Sequence, residues 1–444
     1  MARRPGLASH LVAAATMLVL CSPYLMFLGH GLVIVWALQG WWVACILIGP
    51  KIRLRMAVAA LAARRLELSL FLCWITVIAL NLMAARGVSA DLHLEYAVTG
   101  LIVFAMAVYY SAVDRRSYLF ILIVALAMLS FDAVRSLPAM IGESTIVRDS
   151  VFDASSSVGA LQQGIGEYHL YTANAVMFPC FLAVALARRR IWRPILLTGC
   201  GCIALAIVVS TLTVAFLMLL IGVLLFALLA ALSTRRRTLA IMGVAIILSA
   251  ILSFAVPRVR DLRQVQFVVN KAMTVAINVS DSGIVEGDSS GRGVRLAMSA
   301  KTFLEHPLFG IGPHTLRTNP ALNLIGGSIG GHASWFDQPA EYGIFGFGFY
   351  VAFLAVSVWR VVARCLSQRP GMADIARVVC CGLFVATGFA DPVVLSLSIT
   401  ALFYAFVIGY TPTLGTARRP SQISGRSRRG GRSSGQVASM GQVR

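Results

Sequence analysis

Residues 213–237 read TVAFLMLLIGVLLFALLAALSTRRR. The run 213–232 carries no charge. At about 1.5 Å per helical residue it can cross the roughly 30 Å hydrocarbon core of a bilayer. Three arginines, Arg235, Arg236 and Arg237, follow it directly. Arginines beside a span mark its cytoplasmic end. This one stretch therefore predicts both a membrane-spanning helix and its direction.

The pattern repeats on either side. Apolar runs of spanning length read near 8–29, 31–49, 66–84, 96–113, 118–134, 170–187, 194–210, 213–232, 238–256, 340–363, 374–390 and 393–411. Hydrophobic residues make up 58% of the 444-residue chain and charged residues 13%, against about 25% charged in soluble domains. The expected fold class is all-α: a polytopic integral membrane protein of about twelve transmembrane helices, with a long periplasmic loop between spans nine and ten. The chain divides into spans one to nine (1–256), the loop (257–339), spans ten to twelve (340–411) and a tail (412–444). The first apolar run is too long, and too close to the second, for a cleaved signal peptide.

The basic clusters are Arg3/Arg4, Lys51/Arg53/Arg55/Arg64/Arg65, Arg115/Arg116, Arg188/Arg189/Arg190/Arg193, Arg235–Arg237, Arg364/Arg369 and the tail from Arg418. All fall on one side of the twelve-span layout, and a missed span would invert every later cluster. Both termini are expected in the cytoplasm and 257–339 on the outer side. The net charge of +20 is then mostly topological flanking charge, and nucleic acid is not an expected partner. The Gly/Ser/Arg-rich tail is expected to be disordered, its arginines close to anionic headgroups. The nine cysteines all lie in spans or at their cytoplasmic ends, so no disulfide framework is expected in the outer loops. Cys200 and Cys202 read as packing residues.

Chemistry is sought where polar residues gather on the outer side. Segment 135–169 holds Glu143, Arg148, Asp149, Asp153, Glu167 and His169, with a Ser/Gly-rich stretch near 155–166. A tight turn, Ser210-Thr211-Leu212-Thr213, joins two spans. The loop 257–339 is long enough to imply a function of its own. Within it, Arg292, Arg295, Ser299, Thr302 and His306 recur at helical spacing and fall within an arc of about 80°. Val294, Ala297, Met298 and Leu304 lie off that arc. The spacing predicts an amphipathic helix over 292–306 that ends before Pro307. Two arginines one turn apart can grip a diphosphate; the same spacing also suits a solvated face at the membrane surface. His332, in Gly-Gly-His-Ala-Ser, precedes the tenth span, and Glu341 follows nine residues later. A neutral imidazole there can take a proton from a hydroxyl. Glu341 can orient it or cap the helix.

Four pieces stand in order: Ser-Gly-Arg (290–292), His-Pro-Leu-Phe-Gly-Ile-Gly-Pro (306–313), His-Ala-Ser (332–334) and Ala-Glu-Tyr-Gly-Ile-Phe-Gly (340–346). This order, inside this layout, resembles the O-antigen ligase and polymerase superfamily; Asn174…Pro179 agrees more loosely. The sharp match covers about 55 residues. The resemblance implies a metal- and ATP-independent glycosyltransferase of the bacterial inner membrane, with no cofactor. Its expected partners are a polyprenyl-diphosphate-linked glycan donor, a lipid A-core or growing-glycan acceptor, and the lipid bilayer. Arg292 matches the arginine that engages the diphosphate, and His332 the histidine that acts on the acceptor hydroxyl. Arg295, Arg317, Arg148, Glu341 and His314 are expected to help bind substrate.

There are departures. Ala333 stands where asparagine is common, and Leu296 where tryptophan is. The turn at 210–213 lacks the second arginine many members carry, so Arg295, Arg148 or Arg317 would have to supply that charge. No Asp-x-Asp pair is present to hold a metal. A ligase is the first expectation and an O-antigen or exopolysaccharide polymerase the alternative. A twelve-span transporter is a more distant rival, since the two halves show no clear similarity.

Overall fold

The computed structural model describes residues 7–22, 25, 31–85, 91–113, 115–142, 168–188, 191–210, 212–234, 292–312, 333–367, 370–391, 393–394 and 396–410. In chain order the helices are α1 (Leu7–Cys21), α2 (Gly31–Leu47), α3 (Lys51–Ala62), α4 (Arg65–Ala85), α5 (Asp91–Val113), α6 (Arg115–Gly142) and α7 (Tyr168–Ala187). Then come α8 (Trp192–Val209), α9 (Thr213–Thr234), α10 (Arg292–Glu305), α11 (Ser334–Ser367), α12 (Met372–Thr387) and α13 (Leu397–Phe403). The all-α class holds. Among the described residues, seven helices are long and apolar enough to cross a membrane, or eight if the bent pair α2–α3 is one span. Helices occupy each expected span except 238–256, which lies outside the described residues, as does the tail from 411.

Several boundaries differ from expectation. Lys51–Ala62, read as a basic connection, is helical and bends 114° from α2. Pro50 stands at its N-cap and ends the preceding helix direction, while Ala57 and Ala60 give it a face to bury. α6 continues to Gly142 through Pro138, so the outer segment expected from 135 starts later. α11 begins at Ser334, six residues before the expected span.

The interior is a continuous apolar core with an aromatic cluster at its centre. Phe71, Trp74, Tyr350, Phe353 and Tyr404 pack edge to face or tilted at 4.6–5.7 Å between centroids. These residues join α4, α11 and the last helix.

The C-terminal helix does not continue regularly. After Phe403 it widens into a π-helical turn, Tyr404–Ile408. Side chains from other elements take up carbonyls there. Tyr118 donates to Ala405 (3.0 Å), Arg377 to Phe406 (3.2 Å), and Arg64 to Ile408 (3.0 Å) and Tyr410 (3.2 Å). Arg64 is buried and paired with Glu67 at 2.8 Å, and Glu67 also meets Arg360 at 2.6 Å. Burial lowers the Arg64 guanidinium from its ordinary value, and Glu67 opposes that. Arg64 is thus a packing cation of the core as well as a flanking charge.

Candidate functional site at the loop end of the bundle

The helix expected over 292–306 forms as Arg292–Glu305. The middle of its polar arc, Ser299 and Thr302, faces inward, and His306 at its end is exposed. Ser299 is fully buried and Thr302 nearly so, whereas Leu304 and Lys301 are 76% and 77% exposed. Ser299 donates its hydroxyl to Asp337 Oδ1 at 3.0 Å, and Met298 packs with Ile311 on Ala340. At Ser299 and Thr302 the solvated-face reading is therefore corrected. Inward burial wins because Asp337 supplies the hydrogen bond that a buried hydroxyl requires. Arg292 and Arg295 occupy helix positions on the same stripe as Ser299; their side chains lie outside the described residues.

After Glu305 the chain turns at His306-Pro307, as expected, and interlocks with α11. Gly343 has φ 63° and ψ −171°, which breaks α11. The break frees the Ile344 and Phe345 amides, which donate to Pro307 (2.8 Å) and Leu308 (3.3 Å). It also exposes the Ala340 carbonyl, which accepts from Ile311 at 3.1 Å. Two of the four sequence pieces are thus joined backbone to backbone. Only glycine fits here. Gly310 (φ 69°) and Gly343 are left-handed, and a Cβ on either would strike the backbone of the other segment. Two side chains brace the lock: Asn81 donates to the Phe309 carbonyl at 3.1 Å, and His93 Nδ1 stands 2.6 Å from the Tyr342 hydroxyl.

The start of α11 is held as firmly. Ala333 donates its N–H to Asp337 Oδ2 at 3.0 Å, and Asp337 N–H returns to the Ala333 carbonyl at 2.9 Å. The capping role considered for Glu341 therefore belongs to Asp337. Helix start at Ser334 leaves Glu341 two turns inside, buried and accepting from Gln338 Nε2 at 3.0 Å. Ser334 accepts from Val394 N–H at 3.0 Å and donates to the Asp391 carbonyl at 3.5 Å. Trp335 Nε1 donates to the Val385 carbonyl at 2.7 Å. On the far side of Asp391, His169 Nδ1 lies 3.8 Å from Oδ1.

Of the expected site residues, Glu341 lies at this end of the bundle, and Arg292 and Arg295 have positions in the first turns of α10. His332, His314, Arg317 and Arg148 lie outside the described residues, though His332 precedes the anchored Ala333 by one residue. Sequence reading missed Asp337, Asp391, Asn81 and His93. The usable signal was position: each is a polar residue at the same end of an apolar run. Ser210, in the turn lacking the family arginine, is buried and bonded to the Ile207 carbonyl at 2.7 Å. All nine cysteines are free, and Cys200 is buried as a packing residue.

Residues 198–351 match the family model described as O-antigen ligase. The match covers α8 to the middle of α11 and so includes the interlock. It bears out the resemblance to the O-antigen ligase and polymerase superfamily, and with the apolar helices it supports a membrane protein of ligase- or polymerase-like function. No curated protein matches the chain.

Proposed function

We propose that the protein moves a glycan from a polyprenyl diphosphate onto a sugar hydroxyl at the loop end of the bundle, as an O-antigen ligase. The acceptor hydroxyl attacks the anomeric carbon, its proton passes to His332, and the bond to the diphosphate breaks with inversion. The oxocarbenium-like centre gathers positive charge while the leaving diphosphate gathers negative charge. Arg292 and Arg295 meet that charge, and one such fixed donor lowers the barrier by about 3–4 kcal/mol. The diphosphate itself supplies the driving force.

The observation supporting this reading is the inward turn of the α10 stripe. Ser299 is bonded to Asp337, four residues after Ala333, and positions 292 and 295 fall on the same helical stripe as Ser299. A polymerase using the same donor is the second reading, favoured by Thr211 standing where many members carry arginine.

The test is gene deletion in the native host, comparing lipopolysaccharide with secreted polysaccharide. Loss of long chains from lipid A-core, with polymer left on the polyprenyl carrier, is the ligase result. Single repeat units on the core, or loss of secreted polymer alone, mark a polymerase. No glycan change overturns both readings. Complementation with Arg292→Ala or His332→Ala should restore membrane insertion and not transfer.

A further inference from the structure

We propose that Arg360 and Arg364, in the last turns of α11, hold the phosphate of an anionic phospholipid headgroup. They lie at the end of α11 opposite the transfer site, and the binding does not depend on the transfer chemistry. Arg360 Nε stands 2.6 Å from Glu67 Oε1, and Arg64 Nη1 is 2.8 Å from the same oxygen. Arg364 Nε stands 3.5 Å from Asp374 Oδ1, and Arg377 Nη1 is 3.2 Å from that oxygen. The guanidiniums of Arg364 and Arg377 lie 4.8 and 3.6 Å from the centre of the Tyr410 ring. Arg64 donates to the Tyr410 carbonyl, so the two halves form one cluster.

Four guanidiniums thus share two carboxylates. Arg64 and Arg377 are buried and spend donors on the carbonyls of Ile408, Tyr410 and Phe406. Arg360 and Arg364 reach the surface, at 44% and 26% exposed. In the twelve-span layout the acidic residues on this side are Glu67, Asp114 and Asp374, and residues 411–444 contain none. Asp114 is itself followed by Arg115 and Arg116. No acidic residue on this side is left over to balance the cluster, so the balancing anion comes from its surroundings.

Those surroundings are lipid. Val351, Ala355 and Trp359 are exposed at i, i+4 and i+8 of the same helix, an apolar stripe that faces acyl chains, and Arg360 follows Trp359 directly. Tryptophan and arginine at the end of such a stripe mark the headgroup level. The two arginines are one turn apart and neighbours on the helix surface, and the guanidinium fork matches phosphate oxygens. A zwitterionic headgroup brings its own ammonium and leaves the positive excess in place, whereas an anionic one neutralises it. A lipid also keeps a chain against the stripe from Val351 to Trp359, which a soluble phosphate cannot do.

The test is native mass spectrometry of the full-length protein, titrated in detergent with phosphatidylglycerol or phosphatidylcholine. The wild type should bind the first phosphatidylglycerol more tightly than the first phosphatidylcholine. Arg360→Gln and Arg364→Gln should each weaken phosphatidylglycerol binding about fivefold and leave phosphatidylcholine binding unchanged. Each carboxylate keeps its buried arginine in these variants, so both are expected to fold. Unchanged phosphatidylglycerol binding in both overturns the site. Arg193→Gln is the control: Arg193 is exposed at the start of α8, and its loss should leave phosphatidylglycerol binding unchanged. An equal loss in Arg193→Gln overturns the site in favour of diffuse attraction to the basic flanks. Glycerol phosphate in large excess should not compete; competition overturns the lipid and leaves a soluble phosphate in its place. Should a variant not fold, the wild type decides alone, because equal affinity for the two lipids overturns the site.

Discussion

Gly310 and Gly343 are each the only residue type their positions accept, and each for two reasons. Both have positive φ, and both bring one segment's backbone against the other's. Gly310→Ala or Gly343→Ala would combine left-handed strain of about 1–3 kcal/mol with a backbone collision that cannot relax within one residue. A marked fall in Tm of the detergent-purified protein is expected for both. Gly348→Ala is the control: it lies in the same helix with open space around it, and alanine there should be neutral or slightly stabilising. Equal Tm values for all three would mean the interlock contributes nothing to stability. The glycines themselves were legible as motif letters. Their reason was not, because a helix break at 343 and a turn at 310 reveal their fit only once the two backbones meet.

At the scale of elements, α10 meets α11 through the Ser299–Asp337 bond and the packing of Met298 and Ile311 on Ala340. Ser299→Ala removes the bond to Asp337 and should cost about 0.5–1.5 kcal/mol. Asp337→Ala removes that bond and the cap on Ala333, adding about 0.5–2 kcal/mol. Trypsin cleavage after the exposed Lys301 should quicken in both variants, with the larger Tm loss in Asp337→Ala. Unchanged cleavage would mean that Met298 and Ile311 hold α10 without the bond. The opposite end of the bundle has a stiffer device. Arg64→Met leaves Glu67 buried with Arg360 alone and strips donors from the Ile408 and Tyr410 carbonyls. Breaking a buried pair from one side costs about 3–5 kcal/mol. Arg64→Met should therefore lower Tm strongly, and adding Glu67→Gln should recover part of the loss. No recovery would show that the carbonyl bonds, not the ion pair, carry the effect. Period-3.6 spacing made α10 legible in the sequence. Which face it buries depended on Asp337, 38 residues away, and no local pattern encodes that.

Over the whole molecule, the apolar runs were legible because a bilayer demands length and hydrophobicity from each segment separately. The contacts that brace the site were not. Asn81 meets Phe309 across 228 residues, and His93 meets Tyr342 across 249. Such pairs arise from how spans are ordered in the bundle, which hydropathy does not record. Orientation is the remaining global property, and the proposed chemistry depends on it, since the arginine stripe and the residue after His332 must face the leaflet where the lipid-linked donor is presented. The positive-inside reading places the basic clusters in the cytoplasm and α10 outside. Lys301→Cys and Ile191→Cys test it, because both positions are exposed, at opposite expected ends of the bundle. A membrane-impermeant maleimide added to cells with a permeabilised outer membrane should label Lys301→Cys above the parent background. It should label Ile191→Cys only after the inner membrane is lysed. The opposite pattern would put α10 in the cytoplasm, where a donor already flipped to the outer leaflet is out of reach, and the site would have to serve another substrate.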